Sequence, residues 1–177
     1  MLIDGNLVGE RVILRNINEN DGNITYFEWL NDPDVNRFLE TRWKNQTMKG
    51  IKEYIKSMIC SSQDILLAIE LKDSREHVGN IKLGGIDYNN RNANIGYLIG
   101  DKDCWGLGIA TEAVALIADY ALNILDLHSV IAGIIEGHNS SKRVLEKNGF
   151  ELCAVLKEAC YFEGRYVSHL YYEKVNV

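Results

Sequence analysis

A chain of 177 residues, 46% hydrophobic and 25% charged, suits one folded domain over 1–177, with about two thirds of the surface of its unfolded form buried. No apolar run approaches the roughly 18 residues of a membrane span, and Asp4 ahead of any basic segment reads against a signal peptide, so the expectation is a cytoplasmic protein without a membrane partner. A formal net charge of −6 argues against a nucleic-acid partner, which calls for a lysine and arginine excess.

Residues 11–15 (RVILR) alternate as a strand does. Residues 21–31 bring Ile24, Phe27 and Leu30 to one helical face, and DPDVNRFLE carries the Asp-Pro start of a second short helix. In TMKGIKEYIKSMIC the apolar residues Ile51, Tyr54, Ile55, Met58 and Ile59 recur at helical spacing, with Thr47 as N-cap. Three strands follow, 64–71, 77–87 and 92–100, separated by turn-rich LKDSRE and DYNNRN, and they read as an antiparallel meander. Residues 110–125 form a helix with Ala113, Val114, Ile117, Ala121 and Leu125 inward. SVIAGII (129–135) is then a buried strand, SSKRVLEKNGF a short helix closed by Gly149, and the tail a hairpin turning near Glu163-Gly164. Strand, helix, strand in this order implies a parallel pair crossed by the helix. The cysteines Cys60, Cys104, Cys153 and Cys160 show no C-x-x-C pair and no histidine at ligand spacing, so the expected metal is none and the thiols read as free.

Between the third meander strand and the long helix lies DKDCWGLGIATEA. A glycine turn entering a helix aims unpaired backbone N–H groups and the positive helix end at one point, which suits a phosphate. Glycine serves there by keeping Cβ atoms off the ligand and by adopting positive φ. Two glycines alone fit equally a tight packing turn; the absence of G-K-[ST] excludes a nucleotide P-loop.

IGYLIGDKDCWGLGIATEAV followed by NSSKRVLEKNGF resembles the GNAT superfamily of acetyl-CoA-dependent N-acyltransferases, in the branch that includes the ribosomal-protein N-terminal acetyltransferases. The resemblance spans essentially the whole chain. It implies an α/β fold of the α+β type: a mixed, mostly antiparallel sheet of about six to seven strands, helices on both faces, and a splay between strands four and five. It implies acetyl-CoA as co-substrate, held by Trp105, Gly106, Leu107, Gly108, Ile109, Ala110 and Thr111, with the pantetheine arm along Leu98, Ile99 and Gly100 and further contacts from Asn139, Ser141 and Lys147. Trp105 stands where the family has Gln or Arg; the cradle relies on main-chain donors, so binding is still expected.

The family's tyrosine acid maps to Leu145, which cannot donate a proton, and Ser141 becomes the candidate acid beside the thiol. A serine one turn into a helix also serves simply as a cap. His138 aligns with a family asparagine and is a second candidate catalytic residue, with Glu40 the third. Relatives' carboxylate positions hold Asn94 and Ser168, so Glu40 and Asp87 remain as carboxylates bordering the acceptor cleft. WLNDPDVNRFLETRW walls that cleft and resembles the amino-sugar-modifying members. Asn31, Arg37, Glu40, Arg42 and Trp43 there, with Asp87, are the expected acceptor contacts, the arginines and Trp43 suiting an anionic, ring-bearing ligand. The expected partner is a small-molecule amine, an amino sugar or nucleotide-linked amino sugar ahead of a polyamine. A protein N-terminal α-amine, or a non-catalytic CoA-binding domain, are the alternatives, and a homodimer is compatible with all of them.

Overall fold

In the computed structural model, which describes residues 1–176, one sheet contains the strands β1 (Leu7–Val8), β2 (Val12–Asn16), β3 (Ile65–Leu71), β4 (His77–Asp87), β5 (Asn92–Ile99), β6 (Ser129–Ile135), β7 (Glu151–Phe162) and β8 (Arg165–Val175). The helices are α1 (Ile24–Asn31), α2 (Pro33–Asn36), α3 (Met48–Cys60), α4 (Ile109–Asp119) and α5 (Asn139–Lys147). Side-chain caps set the helix starts: Asn23 accepts from Tyr26 N–H, Asp32 from Asp34 N–H and Thr47 from Gly50 N–H, each satisfying an amide that the first turn leaves unpaired. Gly149, at φ 76°, closes α5, and Phe150 N–H returns to Leu145 O. The final hairpin turns at Glu163 and Gly164, both with positive φ.

The sheet order is β1-β2-β3-β4-β5-β6-β8-β7. It is antiparallel except between β5 and β6, where α4 makes the crossover. That parallel pairing lasts only from Asn92 opposite Ser129 to Asn94 opposite Ile131. Beyond it β5 stays with β4 as far as Ile99 opposite Gly79, and β6 stays with β8 as far as Ile135 opposite His169. Each strand follows its outer partner, and the sheet opens between them. In order of the longer strands this is the splay between the fourth and fifth; the two-residue β1 raises the strand number to 8, above the expected six to seven.

Helices α4 and α5 cover one face, where Ile109, Ala113, Val114, Ile117 and Leu145 pack with Leu67, Ile81, Leu83 and Ile95. On the other face Tyr26, Trp29 and Leu30 of α1 and Ile51 and Ile55 of α3 cover Leu66 and Ala68. Each such aliphatic side chain contributes about 1.5–3 kcal/mol when fully buried. Of the expected inward residues of α1, Leu30 is buried and Phe27 packs against this cluster, whereas Ile24 is 58% exposed and Tyr26 and Trp29 are buried in addition. The Trp29 ring lies so close to Gly100 that a Cβ there would stand 1.9 Å from it. DPDVNRFLE does start a second short helix at Asp32-Pro33: α2 ends at Asn36, and Glu40–Trp43 forms a separate tight turn. The four cysteines are free, and among the described residues no helix is long and apolar enough to cross a membrane.

Candidate active site

The gap between β5 and β6 encloses a cavity of about 280 Å³. Ile95, Gly96 and Tyr97 line it from β5 and Ala132 to Ile135 from β6; Phe38, Leu39 and Glu40 close one side, and His138, Ser141 and His169 complete the wall. The polar edge of the gap follows from strand alternation. Gly100 N–H bonds Val78 O on β4, which turns the backbone groups of Leu98 the same way and those of Tyr97 and Ile99 toward the gap. Trp105 Nε1–H accordingly reaches Ile99 O from the open side, at 2.9 Å. Of the expected edge residues Leu98, Ile99 and Gly100, only Ile99 offers its backbone to the gap, and Tyr97 is the second. Gly100 is required instead by the packing of Trp29.

The loop between β5 and α4 is built around Gly106 at φ 77° and Gly108 at φ 84°, a left-handed conformation that strains any residue with a Cβ. Gly108 is the N-cap of α4. Among the described residues the amides from Gly106 through Leu107, Gly108, Ile109 and Ala110 to Thr111 take no backbone partner. A Cβ built on Gly106 meets no atom within 4 Å, so the space beside the loop is open. Unpaired amides, a helix N-terminus and open space fit a pyrophosphate. Asn148 Nδ2 donates both to Thr111 O at 3.0 Å and to Val144 O at 2.8 Å, fixing α5 against the first turn of α4. Asn139 and Lys147 are exposed on the first and last turns of α5.

Ser141 is buried, and its Oγ lies 2.6 Å from the Tyr97 hydroxyl. Burial pushes the Tyr97 phenol up to about 12, with its bond to Ser141 acting in the opposite sense. His138 stacks on Phe38, ring centroids 3.9 Å apart and 7° from parallel, and Phe38 stacks in turn on Phe162. Burial, and then the nearby Arg37 guanidinium, lower His138 from 6.5 to about 4, so the imidazole is neutral at pH 7. Leu145, at the family's tyrosine position, is wholly buried in the core. His169 lies against Gly133, where a Cβ would stand 2.7 Å from Nε2, and its Nδ1 is 3.4 Å from the Tyr171 hydroxyl.

The structure thus gathers Ser141, His138 and Glu40 around one cavity and disperses other expected acceptor contacts. The Glu40 side chain is 76% exposed and 3.6 Å from Arg42 Nη1. Arg42 donates to Leu39 O at 2.8 Å and to Tyr161 O at 3.4 Å, with its guanidinium 4.5 Å over Trp43. Arg37 pairs with Glu163 of the final hairpin and lies over Phe38 and Phe162. Arg42 is thus held by several protein groups, whereas Arg37 spends one donor on Glu163. Asn31 bonds Phe27 O, Gln46 O and Gln46 N–H, tying α1 to the loop before α3. Asp87 lies at the closed end of the β4–β5 pair, where its carboxylate accepts from Asn89 N–H, Asn90 N–H and Asn90 Nδ2; it caps a turn away from the cleft.

Tyr97 and His169 escaped sequence reasoning. Period two places Tyr97 on the face of Ala93 and Ile95, which reads as core; the signal was a polar hydroxyl on that face in need of a partner. His169 follows Ser168, which stands where the family resemblance implies a carboxylate.

Residues 11–151 match the acetyltransferase (GNAT) domain. Over 157 residues the chain is 27% identical to the uncharacterized N-acetyltransferase YoaA of Bacillus subtilis, with 88% of each chain covered. A similar fold is found in spermidine N-acetyltransferase from Vibrio cholerae in complex with CoA and spermine (TM-score 0.83, 19% identity, 94% of this chain and 96% of that one). It is found also in ribosomal-protein-S5-alanine acetyltransferase from Vibrio fischeri (TM-score 0.83, 21% identity, 98% and 97%).

Proposed function

The chain belongs to the GNAT acetyltransferase family as an acetyl-CoA-dependent N-acyltransferase, and from that premise we propose that it acetylates the primary amine of a compact acceptor of low amine pKa, an amino sugar. The observation that carries this reading is His138, kept neutral by burial in the cavity that Ser141 and Tyr97 share. Acetyl-CoA, when bound, supplies the acyl group on a thioester. The amides from Gly106 to Thr111 would hold its pyrophosphate, and the edge groups of Tyr97 and Ile99 its pantetheine arm. Ser141 Oγ–H would donate a hydrogen bond to the departing thiolate and stabilise its charge, while the proton released by the amine passes to His138 and from there to solvent. The Tyr97 hydroxyl and Ser141 Oγ lie 2.6 Å apart, a pair in which either oxygen can donate; with the phenol as donor, the serine hydrogen is free to point into the cavity.

The His138 imidazole receives the proton that the amine nitrogen loses as the C–N bond forms. A base of pKa about 4 does not strip an alkylammonium of pKa about 10.4, so the acceptor must arrive neutral. The amine of an amino sugar does so, because electron-withdrawing ring substituents lower its pKa; a polyamine does not. A protein α-amine, at about 7.7–8.0, also meets this condition. The mouth of the cavity favours the smaller acceptor. The Arg37–Glu163 pair and the Arg42 bond to Tyr161 O join the segment before α3 to the final hairpin beside the Phe38 wall of the cavity, and a bridge there would hinder a peptide more than a compact amine.

The test is CoA release measured with amino sugars, a nucleotide-linked amino sugar, spermidine and an N-terminal peptide. An amino sugar is expected to give the highest kcat/KM. Turnover of spermidine or of the peptide at ten times that value or more overturns the acceptor assignment.

A further inference from the structure

The loop Trp-Gly-Leu-Gly-Ile-Ala-Thr over 105–111 carries no basic side chain, and the indole of Trp105 is turned back to Ile99 O. A diphosphate brought to this loop would meet amide dipoles and no full positive charge of the loop's own. A cation nevertheless stands beside it. Arg11, in the turn between β1 and β2, places Nη1 3.3 Å from Leu107 O and 2.8 Å from where a Cβ on Gly108 would be.

This placement is fixed from below. Glu112, in the first turn of α4, accepts from Arg11 N–H at 2.8 Å and from Val12 N–H at 3.3 Å through the same oxygen. Gly9 makes room for it, since a Cβ there would stand 1.9 Å from Glu112 Oε1. The Arg11 backbone is therefore anchored to the helix whose N-terminus forms the cradle. Its guanidinium is exposed, and the long contact with Leu107 O engages one of the five N–H donors of an arginine. No carboxylate pairs with it among the described residues. Lys72, bonded to Gly9 O at 2.9 Å, adds a second positive charge to the same turn.

We infer that Arg11 is a ligand for a phosphate of CoA, supplying from the β1–β2 turn the positive charge that the α4 loop lacks. The inference rests on the reading of that loop as the acetyl-CoA cradle. A guanidinium presents paired donors that match phosphate oxygens, and such charge-assisted bonds are about twice as strong as neutral ones. Two phosphate positions of the same ligand answer this chemistry, the pyrophosphate and the 3′-phosphate.

The experiment is calorimetric titration of the free protein with acetyl-CoA and with 3′-dephospho-CoA, no acceptor present, for the parent, Arg11→Gln and Arg11→Lys. The melting temperature of each variant without ligand serves as the check on folding. Arg11→Gln is expected to bind acetyl-CoA about ten- to a hundredfold more weakly, and Arg11→Lys to recover part of the loss. If the loss persists with 3′-dephospho-CoA the partner is the pyrophosphate; if it vanishes, the 3′-phosphate. Equal affinity of all three proteins for acetyl-CoA overturns the assignment of Arg11 and leaves the loop intact. A parent that binds no acetyl-CoA overturns both.

Discussion

His138 couples its burial to both chemistry and stability. Its pKa of about 4 in the folded chain lies below the roughly 6.5 of an unfolded chain, so between those values the unfolded state binds the extra proton. Stability is thus complete above about pH 6.5 and falls as the pH drops toward 4, by about 3 kcal/mol in all. Urea unfolding at pH 7 and pH 4.5 should show the parent losing about 2 kcal/mol more than His138→Asn over that interval; equal losses would mean that His138 is not held neutral. Ser141→Ala is expected to lower kcat more than it weakens acetyl-CoA binding, and Tyr97→Phe to lower kcat in the same direction by a smaller factor. Unchanged kinetics in Ser141→Ala return that serine to a capping role, and in Tyr97→Phe reduce the phenol to packing. Ser141 and His138 were legible because they lie at fixed distances before Asn148-Gly149-Phe150. Tyr97 was not, since its partner is 44 residues away. The same limit applies to Arg37, whose partner Glu163 is on the last hairpin.

Elements written in local periodicity could be read directly: α3 with its Thr47 cap, the β3–β5 meander, and α4 with Ala113, Val114 and Ile117 inward. Those decided by partners could not. The face of α1 follows from Trp29 meeting Gly100, and β1 exists only through its pairing with Ile13 and Leu14. The loop into α4 lies between these cases, because its glycines announce positive φ while its ligand is a matter of which amides stay unpaired. Gly108→Val puts a β-branched residue at φ 84°, which costs about 1–3 kcal/mol, and places side-chain atoms beside the cradle. It is expected to remain folded and to lose the rise in Tm that acetyl-CoA gives the parent. An undiminished rise in the folded variant removes the loop from the binding site.

The activity emerges from how the sheet divides. β5 and β6 pair over Asn92–Asn94 and Ser129–Ile131, then part, and the opening is lined by His138 and Ser141 on one side and by Phe38 and Glu40 on another, the two sides to which the proposed function assigns the thioester and the amine. Sequence order predicted the parallel pair and the crossover; its short extent depends on β4 and β8 holding the two strands apart. In the resulting cavity the carboxylate of Glu40 is largely in water, and the buried imidazole is too weak a base to deprotonate an ammonium. The reaction therefore depends on the neutral fraction of the acceptor itself. This is checked by kcat/KM as a function of pH for a series of amino sugars of differing amine pKa, with the parent, Glu40→Gln and Asp87→Asn. The rate should rise to a plateau with an apparent pKa that follows the acceptor's amine and is the same in all three proteins. An apparent pKa that stays fixed across acceptors, or a basic limb lost with about a hundredfold fall in rate in Glu40→Gln, would mean that an enzyme group deprotonates the ammonium and would contradict the mechanism.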